Sequence, residues 1–169
     1  APSQGFTLIE LLFVVAIIAI IAAIALPGLM RARAASNEAS AEGAIRAIDS
    51  GQQAFRFTCG EGRFSPSLQN LGLPVAGGPG YISPDLSGPA PVEKSGYRFA
   101  IGTRSPTPGV SCNGGTTAET FHATATPLES AGSRHFGGNG SGALFESPTT
   151  LVGVMPDVGA PPAPARPLQ

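Results

Sequence analysis

Apolar residues are spread unevenly along this chain of 169 residues. They form one unbroken run, residues 11–30, and are elsewhere scattered among glycine, proline and small polar residues. About 20 such residues suffice to cross a bilayer as a helix. Beyond Met30 the pattern changes: Ala41, Ala44, Ile45, Ile48 and Phe55 recur at helical spacing, with Arg46, Asp49 and Gln53 on other faces. The same helix is predicted to end near Phe57, because Cys59-Gly60-Glu61-Gly62 reads as a turn. From Phe6 to Phe57 this is a rod of roughly 78 Å at 1.5 Å per residue.

The rest of the chain predicts β structure. Residues 63–94, punctuated by Gly77-Gly78-Pro79-Gly80, Ser83-Pro84 and Gly88-Pro89, read as a loop with short turns. Residues 95–101 and 120–127 alternate in strand fashion, and residues 142–146 form a third candidate strand after a glycine-rich turn. Three antiparallel strands with one face against the helix bury enough to fold. From Pro156 onward, Pro161-Pro162-Ala163-Pro164 gives an extended or disordered tail. The fold class is therefore α+β, a long kinked amino-terminal helix packed on a small antiparallel sheet. Its expected parts are residues 6–30 (apolar helix), 31–58 (amphipathic half of the same helix), 59–155 (β domain) and 156–169 (tail).

An apolar stretch near an amino terminus suits a signal peptide or a plain membrane anchor as well. A secretory signal has an apolar core of roughly 7–15 residues, shorter than this run, although Ala22-Ala23-Ile24-Ala25 imitates a cleavage site. A plain anchor explains the length but not Glu10, a carboxylate inside a stretch otherwise built for hydrocarbon, where an acid costs about 2.5–3.5 kcal/mol on insertion scales. Glu10 either finds a cation, reaches the headgroups or takes up a proton. Pro27, followed by Gly28, removes one backbone hydrogen bond and predicts a kink late in the run.

The string Gly5-Phe6-Thr7-Leu8-Ile9-Glu10-Leu11-Leu12 resembles the processing site and helix start of type IV pilins and of the pseudopilins of type II secretion. The resemblance implies cleavage between Gly5 and Phe6 by a prepilin peptidase, methylation of the new amino terminus at Phe6, and residues 1–5 as the remnant of a leader. It implies that Glu10 pairs with the amino terminus of a neighbouring subunit, and that the helix loosens at Pro27 on assembly. A second, looser likeness to a pseudopilin-like group runs through SGYRFAIGT, TFHATATPLESAGSRHF and GSGALFES. Arg31 and Arg33 follow the apolar run, which by the positive-inside rule alone favours a cytoplasmic carboxyl terminus. A pilin-like placement reverses that orientation and puts the domain outside the cytoplasm. There Cys59 and Cys112, the two cysteines, most simply form one disulfide across a long loop, with two free thiols as the alternative.

Net charge is −1 and only 12% of residues are charged, so nothing electrostatic favours nucleic acid. Two cysteines without a CxxC spacing make a poor metal site. His122 and His135, the two histidines, lie in a strand and near a turn with no evident acid or nucleophile beside them. No nucleophile-elbow, P-loop, zincin or dinucleotide fingerprint occurs. Calcium would have only Asn139, Ser141 and the single carboxylate of Glu146 where it wants several oxygens, and residues 137–142 read better as a flexible hairpin turn. The expectation is a non-enzyme without cofactor or metal. It is a filament subunit of a type IV pilus, or of a secretion pseudopilus, assembled by its own helix into a homo-oligomer. Its partners are the prepilin peptidase and an inner-membrane assembly platform. It resides in the bacterial inner membrane first and in a cell-surface or periplasmic filament later. The resemblance implies that residues 63–94 are the variable loop at the subunit surface, which leans towards a displayed pilus, while the short domain leans towards a pseudopilin. A monomeric membrane-anchored binding domain is the competing class.

Overall fold

A computed structural model describes residues 5–75, 77–129 and 131–168. The backbone begins with α1 (Leu8–Thr58), 51 residues long, or about 77 Å at 1.5 Å per residue. It runs through Pro27 without interruption. Proline deletes one donor, so the carbonyl of Ala23 loses its partner while the turns on either side keep theirs. In the single chain the helix is continuous at the position where the resemblance implies loosening during assembly.

From Glu38 onward one face of α1 is covered, with Ala41, Ala44, Ile45, Ile48, Gly51, Gln52 and Phe55 all buried. These include every apolar position that the helical spacing picks out. Burying Ile45, Ile48 or Phe55 is worth about 1.5–3 kcal/mol each. Opposite them lies a six-stranded sheet in the order β1 (Val92–Lys94), β2 (Tyr97–Gly102), β5 (His122–Pro127), β6 (His135–Asn139), β7 (Leu144–Ser147), β8 (Arg166–Pro167). All neighbours are antiparallel, with Phe99 opposite Ala125, and Ala125 opposite Phe136. A separate hairpin joins β3 (Pro106–Val110) to β4 (Thr116–Ala118). The helix crosses β5 and β6, which set Ala123, Ala125 and Gly138 beside the larger Phe136 on the core side. A Cβ on Gly138 would sit 2.9 Å from Leu144 and 3.5 Å from Ile45.

The α+β architecture stands, while several details differ from the sequence reading. The three expected strands are β2, β5 and β7, but they make up only half of the main sheet. Residues 137–139, read as part of a flexible turn, belong to β6, and Asn139 is fully buried. Glycine has no side chain to alternate, so a glycine strand between two others leaves no periodic signal.

Residues 63–94 are not a displayed loop. They contain the short helix α2 (Leu68–Leu71), a 3-10 turn (Pro84–Leu86) and β1. Phe64, Leu68, Leu71, Ile82, Leu86 and Val92 enter the main core. Glycine and proline bend the path, and the apolar residues between the bends turn inward. Gln52 fastens the start of this segment from inside the core: its amide nitrogen donates to Ser65 O at 2.7 Å and its carbonyl accepts from Ser65 N at 2.9 Å.

The tail is also ordered. Asp157 and Pro161 are buried, Leu168 N donates to Leu144 O at 2.8 Å, and β8 closes one edge of the sheet. Proline cannot donate to a ladder, which confines such a segment to an edge and hides it from strand patterns.

Candidate assembly site at the amino-terminal helix

Gly5 and Phe6 precede α1 in exposed, non-helical backbone, and residues 1–4 of the expected leader remnant lie outside the described residues. Thr7 is the N-cap, extended at φ −82° and ψ 148°. Its hydroxyl accepts from Glu10 N at 3.4 Å and donates to Glu10 Oε2 at 2.7 Å, while Thr7 N donates to the same oxygen at 3.0 Å. This is a reciprocal capping box, which satisfies donors that a helix start leaves open and places a carboxylate at the positive end of the helix dipole. The bonds also give Glu10 two donors within its own chain.

Beyond the cap, every large apolar side chain from Phe6 to Met30 is at least 48% exposed. An 18-residue window of this helix has a mean hydropathy of 3.1 and none of it is buried within the chain. By length and composition α1 can cross a membrane. Late in the segment Arg31 Nε donates to Pro27 O at 3.3 Å, so this arginine folds back along its own helix.

At the other end of α1, Cys59 and Cys112 form a disulfide with Cα atoms 4.8 Å apart. Cys112 N donates to Cys59 O at 3.0 Å, so backbone and side chain together fasten the β3–β4 hairpin to the helix end.

Nearer the middle of α1, the carboxylate of Glu38 anchors the segment after β5. It accepts from Ser133 N at 2.8 Å and from Arg134 Nε at 2.8 Å, and Arg134 Nη1 continues to Glu146 at 2.7 Å. Burial opposes ionisation of Glu38, but the bonds from Ser133 and Arg134 outweigh it and hold the carboxyl below its ordinary value. Tyr97 donates to Arg134 O at 2.9 Å, and burial, aided by the Glu38 charge, pushes its phenol up to about 12.

His122, expected without an acid beside it, has one. Its Nδ1 lies 2.6 Å from Asp157 Oδ1. Asp157 Oδ2 accepts from Arg104 N at 2.8 Å and from Thr120 Oγ1 at 2.7 Å. Asn139 Nδ2 donates to Pro156 O at 3.2 Å and to Gly159 O at 2.7 Å. The other ring nitrogen of His122 packs beside Gly102, where a Cβ would come within 2.6 Å of it. The arrangement clasps residues 153–159 to the sheet, so the histidine is a fastening for the tail. His135 lies on β6, and burial lowers its pKa. Among the described residues no group of three or more His, Cys, Asp or Glu could hold a metal ion.

Of the residues singled out in sequence, Gly5, Phe6 and Glu10 come together at one helix end, with Pro27 in the same apolar segment and Cys59 and Cys112 at the far end. Sequence reasoning missed Thr7 and Glu38. Thr7 was readable, because Thr-x-x-Glu before an apolar run is the capping-box signature. Glu38 had no such sign, since its partners lie 95 and 96 residues away.

The chain matches no curated protein and no solved structure. Residues 1–26 match the family described as the prokaryotic N-terminal methylation motif. That motif is the prepilin-type signature of type IV pilins and pseudopilins, and on a long apolar helix with a small antiparallel sheet it supports a pilin- or pseudopilin-like protein.

Proposed function

We propose that this chain is a structural subunit of a type IV pilus-like filament, held by residues 6–30 in the bacterial inner membrane and then packed by that segment into a filament core. The carrying observation is the pairing of two features on one helix. The apolar window of its first half is unburied by its own chain, and a single cap-held carboxylate sits at its start. Cleavage between Gly5 and Phe6 by a prepilin peptidase frees an α-amino group, methylated at Phe6, one residue before the cap. In the assembled filament the ammonium of a neighbouring subunit neutralises Glu10, whose carboxylate already accepts two hydrogen bonds from Thr7.

Lipid tails are about as apolar as leucine, so moving this helix from bilayer to filament gains little from the hydrophobic effect. Packing and charge pairing must decide the outcome. A carboxylate in a medium of low dielectric is costly alone and tolerable beside a cation of good geometry. Glu10 thereby selects the one axial register in which it meets an amino terminus. Pro27 supplies a turn with one hydrogen bond fewer, which can loosen as the helices pack. The remaining parts follow: residues 31–58 carry the domain, residues 59–155 form the filament surface, and residues 156–169 strap the sheet edge.

A secretion pseudopilus is the second reading. It is favoured by residues 63–94 contributing to the core instead of standing out as a display loop.

The test is Glu10→Ala in the native host, with filaments counted by electron microscopy and subunit measured in the membrane fraction. A filament subunit accumulates in the membrane while filaments fall sharply or vanish. Unchanged function with unchanged abundance would instead identify a monomeric anchored domain.

A further inference from the structure

Where the apolar half of α1 meets the globular domain, the surface opens into a groove of about 290 Å³ lined by Met30, Arg33, Asn37, Glu129 and Ala131. We propose that this groove holds the headgroup of a phospholipid bearing a primary ammonium, with its acyl chains lying along the exposed face of α1. The inference rests on the membrane-anchored reading above and adds a specific lipid contact to it.

Depth is the first argument. Residues 11–30 span about 30 Å at 1.5 Å per residue, which matches the roughly 30 Å hydrocarbon thickness of a bilayer. Arg33 follows Met30 by about 5 Å along the axis, within the headgroup layer of roughly 5–7 Å on each side, and Asn37, about 10 Å on, stands just outside it. The groove is therefore continuous with the face that lipid covers.

Chemistry is the second argument. Arg33 is exposed, and a guanidinium matches the geometry of phosphate oxygens. Arg31, the other arginine after the apolar run, is turned back onto Pro27 O. Glu129 brings a carboxylate to the same groove from the segment after β5. It can accept N–H bonds from an ethanolamine ammonium, whereas a choline headgroup has no N–H to give. Met30, 64% exposed, forms an apolar floor towards the chains.

The walls are fixed before any lipid arrives. Asn37 Nδ2 donates to Ala131 O at 3.1 Å, Ala131 N donates to Leu128 O at 3.0 Å, and Leu128 N donates to Gly96 O at 2.8 Å. The backbones that carry Arg33 and Glu129 are thus held in a fixed relation, which limits what must reorganise on binding.

The full-length chain in phosphatidylcholine bicelles, titrated with phosphatidylethanolamine and followed by NMR, tests this. Saturable shifts are expected at Met30, Arg33, Asn37, Glu129 and Ala131. Arg33→Ala should weaken the titration about tenfold or more, and Arg31→Ala should leave it in place. Glu129→Ala, which removes the acceptor, should remove the preference for ethanolamine over choline. A chain that floats with phosphatidylcholine vesicles but shows no lipid-dependent shift, or an unchanged titration in Arg33→Ala, overturns the proposal alone. Groove shifts that follow protein concentration instead of lipid assign the site to a second copy of the chain and overturn it too. A chain that fails to float overturns the membrane reading beneath it.

Discussion

Replacing Cys59 and Cys112 together by alanine should cost the domain about 4 kcal/mol. The two residues are 53 apart in sequence, and closing a loop of that length in the unfolded chain removes about 14 cal/mol/K of entropy, or about 4 kcal/mol at 25 °C. Alanine is the better replacement because Cys59 is 3% exposed, and a serine hydroxyl there would add the separate cost of a buried polar group. Backbone bonds beside the bridge do not run through the sulfurs: Cys112 N donates to Cys59 O at 3.0 Å, and Phe64 and Ala118 exchange two bonds of 2.8 Å. The effect therefore acts mainly through the unfolded state. Against a typical total of about 5–15 kcal/mol this is a large share, equivalent to a fall in Tm on the order of 15 °C. Guanidinium unfolding of the full chain in detergent micelles, followed by near-ultraviolet circular dichroism, measures it. A loss under about 1 kcal/mol with an unchanged m-value would refute the entropic argument.

Phe55 is fully buried and meets Tyr81 edge-on at 5.5 Å, so Phe55→Ala should cost about 3–5 kcal/mol in the same unfolding assay. Burial would raise the Asp157 carboxyl, but bonds from His122, the Arg104 backbone and Thr120 outweigh it and lower the value from 3.8. A depressed folded value stabilises the fold above the unfolded value and loses that contribution as pH falls through the folded one. Proteolysis within residues 151–168 should accordingly accelerate as pH falls below about 4, and Asp157→Asn should flatten that dependence. Thr7→Val removes the hydroxyl from the capping box, at about 1 kcal/mol of local helix stability. Faster amide exchange at Leu8–Glu10 in micelles and a lower filament yield are the expected readouts.

Periodicity made the helix legible, because a 3.6-residue repeat on one strand of chain is a local signal. Ala41, Ala44, Ile45, Ile48 and Phe55 are all buried as the spacing requires. Strands β2, β5 and β7 were visible for the same reason, with alternating residues and bounding turns. The rest of the sheet was hidden by composition. β6 carries Gly137 and Gly138, and β8 is Arg166-Pro167, neither of which resembles a strand in isolation. Phe64, Leu71 and Leu86 read as loop because helix or strand periodicity cannot flag apolar residues on a winding path.

At the candidate assembly site the local part was legible and the distant part was not. Glu10 announces itself as a lone acid at the edge of an apolar run, and Thr7 stands three residues before it. The His122–Asp157 contact joins residues 35 apart, and Glu38 reaches Arg134 across 96. Such pairs depend on how the sheet is folded over, which no local pattern encodes.

The central claim is that Glu10 meets a cation created by cleavage at Gly5. The most direct measurement is the amino-terminal sequence and intact mass of the protein sheared from the cell surface. A chain that begins at N-methylated Phe6, with Cys59 joined to Cys112, is the predicted result. A sheared chain that still carries Ala1–Gly5 would leave no ammonium at Phe6 and would contradict the pairing on which the assembly account depends.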